Sequence, residues 1–202
     1  QPAVGGRRLS YAFWREFAEI QNVVAIKVAP FDRYATLDVV RALADAGRDD
    51  IALYTGNDDA IVPDLVTDVP VVSGGRAYTR HFVGGLLGQW AVWTSRAVEM
   101  LREIQLWRAS GADTMPRAWL TRGAALTMAN AVIFDAAHGY QGCLPGILEI
   151  LRLQGLVRGT WTFDTHEQLS PGQADALTRL SEQYPDLADD DFVAERLDEF
   201  LA

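Results

Sequence analysis

The sequence predicts an α/β fold, with a parallel sheet of βα units first and an all-helical extension after it. Two observations carry that expectation. Apolar runs rich in Val and Ile recur at 22–29, 51–55 and 69–73, each separated from the next by a helical pattern. Each run ends in small or polar turn residues, as strands of a parallel sheet do. From Tyr78 onward the periodicity is helical only.

Taken in order, residues 1–10 form a Pro/Gly/Arg loop in which Gly5-Gly6-Arg7-Arg8 leads to Ser10, a helix N-cap. Tyr11 to Ile20 sets Phe13, Trp14, Phe17 and Ile20 on one face of an amphipathic helix. The first strand follows, and then a helix capped by Thr36 that Gly47 stops. Ile51 to Thr55 is the second strand, ending at Gly56-Asn57-Asp58-Asp59, a run that reads as a cap for the next short helix. Val69 to Ser73 is the third strand, ending at Gly74-Gly75-Arg76. Helices are then expected over 81–108, 118–137, 144–153, 170–183 and 189–201. The division is residues 1–80 for the strand-bearing part and 81–202 for the helical part.

Composition narrows the function classes. A chain of 202 residues with 49% hydrophobic content can bury one substantial core. It has no apolar run of about 18 residues, the length of a membrane span. The net charge of −9 is concentrated: residues 1–160 carry 16 acids and 16 bases, residues 161–202 carry 11 and 2. No basic stripe for nucleic acid is present, and the acidic end reads as a solvated surface. A single cysteine, Cys143, and no charged-then-apolar leader over Gln1 to Arg8 set the expectation of a cytoplasmic protein.

Lys27 is the only lysine beside 17 arginines, and it sits in the apolar run Asn-Val-Val-Ala-Ile-Lys-Val-Ala. Read as a strand buried on both faces, that run places an amine in a poorly hydrated site. There it loses its charged form and becomes a nucleophile, which a guanidinium does not. The bland reading is a lysine reaching solvent or pairing with Asp58.

The order of pieces resembles the later part of the dihydrodipicolinate synthase and N-acetylneuraminate lyase family of class I aldolase-type (β/α)8 TIM barrels. The family's Gly-Ile-Lys-like strand is similar to Ala25-Ile26-Lys27, and its Ser-Gly-Asp-Asp-like turn to Thr55-Gly56-Asn57-Asp58-Asp59. Its small-residue turn after the last strand is similar to Val71-Val72-Ser73-Gly74, and its Pro-Gly-Arg segment to Pro2 through Arg8. The resemblance implies barrel strands six to eight, then a last barrel helix and a helical extension. It implies Lys27 as Schiff-base nucleophile, and an earlier barrel half, with the proton-relay tyrosine, from upstream in the same protein or from another chain. Val28 stands where many members have an acid or hydroxyl, and Gly74-Gly75 is richer in glycine than the family turn.

The expected activity is a carbon–carbon lyase acting on a small 2-oxo acid of the pyruvate type, with no metal or organic cofactor. Arg7 or Arg8 binds a substrate carboxylate, Gly56 and Asn57 touch substrate, and Ser73, Gly74 and Gly75 form an anion pocket or simply a tight turn. The alternative is a non-catalytic barrel that binds a small anionic metabolite. His81, His138 and His166 lack metal-ligand spacing. The tryptophans at 90, 93, 107 and 119 read as helix-packing residues or as anchors of a homo-oligomer interface.

Overall fold

The computed structural model describes residues 6–86 and 88–202. Pro2 to Gly5 of the Pro/Gly/Arg segment, and Leu87, lie outside the described residues. The chain is mixed helix and sheet and divides into two compact units. One is Gln1–Leu87 with Thr114–Gly123, the other Gly88–Asp113 with Ala124–Ala202. Among the described residues no helix is long and apolar enough to cross a membrane.

The first unit opens with α1 (Tyr11–Phe17), where the Ser10 hydroxyl accepts from the Phe13 N–H at 3.2 Å. β1 (Ala25–Val28) leads to α2 (Arg33–Asp45), whose cap is Asp32 rather than Thr36: its carboxylate accepts from the Ala35 N–H at 3.0 Å. Thr36 lies inside the helix, with its hydroxyl donating back to the Asp32 carbonyl. Gly47, at φ 64°, turns the chain out of α2. β2 (Ala52–Thr55) and α3 (Ile61–Val66) follow, α3 starting without a side-chain cap.

The third parallel strand is not where the apolar pattern put it. β3 (Val69–Ser73) pairs antiparallel with β4 (Arg76–Arg80) as a separate hairpin. The strand that joins the parallel sheet is β5 (Phe82–Gly85), inside the segment expected to start a long helix. The physical reason lies in Gly74 and Gly75, both at positive φ (55° and 78°), which give a two-residue turn whose twist suits a hairpin. The sheet order is β1-β2-β5, all parallel, with Val83 the extra residue between Phe82 opposite Leu53 and Gly84 opposite Tyr54. No closed barrel forms among the described residues: the sheets have three and two strands.

One face of the parallel sheet is buried and the other is not. Ile26, Val28, Leu53, Thr55 and Phe82 are buried along with Val39, Val40 and Leu43 of α2 and Leu65 of α3. Alternate residues point the opposite way: Ala25 and Lys27 are exposed, Ala52 and Tyr54 part-buried. The expectation that β1 is buried on both faces is thereby corrected; it alternates, exposed then buried. Two arginines tie the connections. Arg48 donates to the carbonyls of Ala18, Ile20 and Val23 in the α1–β1 connection. Buried Arg80 pins the hairpin by donating to Asp49 at 2.9 Å and to the Ile51 carbonyl at 2.6 Å.

The second unit is helical. The helix expected over 81–108 is a 3₁₀ turn (Gly88–Ala91) and α4 (Thr94–Ala109). α5 (Ala118–Ile133) contributes its last ten residues here, followed by α6 (Cys143–Leu153), α7 (Gln173–Thr178), α8 (Leu180–Gln183), α9 (Asp190–Glu195) and α10 (Leu197–Leu201). Its core holds Trp93, Met100, Ile104, Ile133, Leu177 and Leu180. Trp93, and in the first unit Trp119, are therefore packing residues. The acidic end is not merely solvated: buried Asp189 accepts from the Ser95 N–H and hydroxyl at 3.1 and 3.0 Å, satisfying the first turn of α4.

Candidate functional site

The carboxyl ends of β1, β2 and β5 lie side by side, and backbone bonds continue the ladders past them. The Gly56 N–H donates to the Val28 carbonyl at 2.8 Å and the Leu86 N–H to the Thr55 carbonyl at 2.9 Å. Lys27 stands opposite Tyr54 in the register, one residue before the end of β1. Its side chain runs over Gly56. A Cβ built on Gly56 would stand 2.8 Å from Lys27 Cε and 2.9 Å from Ala29 Cβ, so glycine is required there by the approach of those two side chains. Among the described residues Lys27 makes no hydrogen bond or ion pair, and the pairing with Asp58 is not formed.

Lys27 also lines a cleft of about 400 Å³ with Arg7, Arg8, Trp14, Phe31 and Asp32. Arg8 donates to Asp32 at 2.7 Å, so the carboxylate that caps α2 also holds this arginine. Three basic side chains thus share the cleft with a single carboxylate, in contrast to the acidic excess of the chain as a whole. Phe31 sits in the left-handed region at φ 51°, uncommon for an aromatic residue and frequent where a loop is shaped for function.

The other expected site residues separate. Asn57 is buried and fully engaged: its Oδ1 accepts from the Phe31 N–H at 3.0 Å, and its Nδ2 donates to Thr36 Oγ1 at 3.0 Å and to Asp64 Oδ2 at 2.9 Å. Its amide joins two loops and faces protein on every side. Ser73, Gly74 and Gly75 form the end of the β3–β4 hairpin, with both glycines exposed: of the two alternatives this is the tight turn, and the helix that an anion pocket needs does not follow it. The Ser73 hydroxyl instead bonds Asp45, which also accepts from the Tyr11 hydroxyl. These two bonds hold the Asp45 carboxyl below the usual carboxylate range, and the same pairing pushes the Tyr11 phenol up.

Sequence reasoning missed Asp64. It is 1% exposed, in the first turn of α3, and accepts from Thr55 Oγ1 at 2.6 Å and Asn57 Nδ2 at 2.9 Å on one oxygen, with Arg33 paired to the other. The spacing Thr55-x-Asn57 followed by an acid in the next helix was the available signal. Among the described residues no three metal-ligating side chains gather.

The second unit holds one further polar cluster. Asp135, at φ 56°, accepts from Ser170 Oγ at 2.5 Å and the Gly142 N–H at 3.0 Å, with His138 Nδ1 2.6 Å from its other oxygen. Burial alone would raise the Asp135 carboxyl. The bonds from Ser170, His138 and Gly142 outweigh it and hold the group below its ordinary value. Compared with protein-family models and with curated proteins, the chain matches none.

Proposed function

We propose that Lys27 is the Schiff-base nucleophile of a lyase or aldolase acting on a small 2-oxo acid. In this reading β1, β2 and β5 are strands six to eight of a (β/α)8 barrel. The observation that carries it is the place of the chain's one lysine. It stands at the carboxyl end of a strand in a parallel sheet, beside the loops that follow the neighbouring strands, where such folds build their sites.

Three features support the barrel. The order β1-α2-β2-α3-β5 is a run of parallel strands joined through helices, with the hairpin inserted before the last strand. Parallel sheets are covered on both faces, yet on the second face Ala25 and Lys27 are exposed and Ala52 and Tyr54 only part-buried, and β1 pairs with β2 alone. The aromatic side of α1 is likewise incompletely covered, with Phe13 40% exposed, Trp14 and Phe17 only part-buried and no α1 residue buried. Further barrel strands beside β1, from the same protein or another chain, would cover all three surfaces and dry the amine. Such an assembly is also compatible with a homo-oligomer.

The chemistry needs the amine and a group that moves protons, which the family resemblance places on a tyrosine of the earlier barrel half. The neutral amine adds to the ketone carbon, the proton donor turns the carbinolamine hydroxyl into the water that leaves, and the iminium takes up the electron pair released when the adjacent carbon–carbon bond breaks. Borohydride reduction in the presence of pyruvate or another 2-oxo acid, followed by mass spectrometry, tests the reading. An adduct on Lys27 is expected; an adduct elsewhere only, or none with any 2-oxo acid, overturns it.

The exposure of Lys27 favours a second reading, in which amine and arginines bind a small anionic metabolite without covalent chemistry. Lys27→Arg separates the two. Binding survives nearly intact under the second, whereas trapping and turnover vanish under the first.

A further inference from the structure

We infer that Asp64 is the positioning residue of the Lys27 site, holding from beneath the loop over which the Lys27 side chain packs. The inference rests on Lys27 being the centre of the site and adds the group that fixes its geometry.

Asp64 Oδ2 takes bonds from the side chains of the residues on both sides of Gly56, Thr55 at 2.6 Å and Asn57 at 2.9 Å. Gly56 is the residue across which Lys27 Cε and Ala29 Cβ pack. A single carboxylate oxygen therefore grips the turn before and after the point that supports the lysine side chain. The grip extends to the cleft wall. Asn57 Oδ1 receives the N–H of Phe31, and so holds a cleft residue in its left-handed conformation. Asn57 Nδ2 and Arg33 add the start of α2 to the same network.

The chemistry of the position requires a carboxylate. Thr55 and Asn57 both donate to one oxygen while Arg33 donates to the other, so acceptors are needed on both arms. An Asn at 64 offers one oxygen and presents an N–H₂ to the remaining donors. Arg33 is 44% exposed on its side chain and Asp64 fully buried, so the charge is matched from the solvent side while the grip stays dry.

The single lysine gives a direct readout. Reductive ¹³C-methylation labels Lys27 and the α-amine only, so the lysine signal is a single assigned resonance reporting the packing over Gly56. In Asp64→Asn that resonance should move toward its position in the urea-unfolded chain, with far-UV circular dichroism unchanged. Imine trapping with the 2-oxo acid that works best on the parent protein should fall at least tenfold. Arg33→Gln, at a half-exposed position, should move the resonance in the same direction by less, and it decides the matter alone if Asp64→Asn does not fold. An unmoved Lys27 resonance in a folded Asp64→Asn protein, or in Arg33→Gln where that variant decides, overturns the inference. Failure of every 2-oxo acid to be trapped by the parent protein overturns the lyase reading instead, and the resonance still tests the positioning role.

Discussion

The turn at Gly56 and the turn at Gly74-Gly75 look alike in sequence and do opposite things. Both follow an apolar strand and both contain glycine with polar neighbours. Gly56 is buried and has no positive φ; it is glycine because Lys27 and Ala29 occupy the space a Cβ would need. Gly74 and Gly75 are exposed with nothing within 4 Å of a Cβ; they are glycine because their backbone angles require it. A glycine after a strand therefore marks a site only when something packs against it, and that is a tertiary fact.

The sharpest way to break this contrast is Gly56→Ala. The added methyl meets Lys27 Cε at 2.8 Å and Ala29 Cβ at 2.9 Å. The expected cost is about 1–3 kcal/mol of stability, together with loss of the imine trapping that the proposed lyase reading assigns to Lys27, read by urea denaturation and by borohydride adduct yield. Unchanged trapping in a folded variant would remove Gly56 from the site.

The second unit repeats the contrast between a buried anchor and an open turn. Asp135 is 4% exposed and holds Ser170, Gly142 and His138, whereas Gly139, at φ 64°, has open space around it. Asp135→Asn should cost about 2 kcal/mol at neutral pH, as removal of charge-assisted bonds from a buried group does. The sign with pH follows from the depressed carboxyl. The stabilisation is fully present above the unfolded value of about 3.9 and is lost as pH falls through the lower folded value. The gap between parent and variant, measured by urea midpoints at pH 7 and pH 3, should therefore narrow in acid.

Gly75→Ala sharpens the comparison from the other side. It costs about 1 kcal/mol from the left-handed backbone alone, and imine trapping should stay at the parent level because the hairpin end does not line the Lys27 cleft. The smallest effect is expected for Tyr11→Phe, which removes the bond to Asp45 between α1 and α2. About 0.5–1.5 kcal/mol is expected, seen in thermal denaturation near neutral pH. The raised phenol makes this contribution fade as pH climbs through the folded value above 10.

Much of this was legible without coordinates. The helix-and-strand alternation, the Ser10 cap, the stop at Gly47 and the strands around Lys27 and Leu53 follow from local pattern, because burial on a helix stripe or strand face dictates residue type at fixed spacing. The hairpin was not read, although two strand-like runs around Gly-Gly are a hairpin signal. The uninterrupted apolar run at Val69–Ser73 masked it by imitating a buried parallel strand. β5 was masked in turn by helix-forming residues downstream.

By itself the sequence determined the α/β character, the single lysine near a strand end and the charge-balanced body with an acidic end, all of which depend on residue type and spacing. Only the tertiary structure decided that Asn57 and Asp64 form an anchor, that Arg7, Arg8 and Lys27 share a cleft, and that one face of the sheet is only partly covered. Those are distances between residues far apart in the chain. They are set by how layers pack rather than by any local preference, so no reading of neighbours along the sequence reaches them.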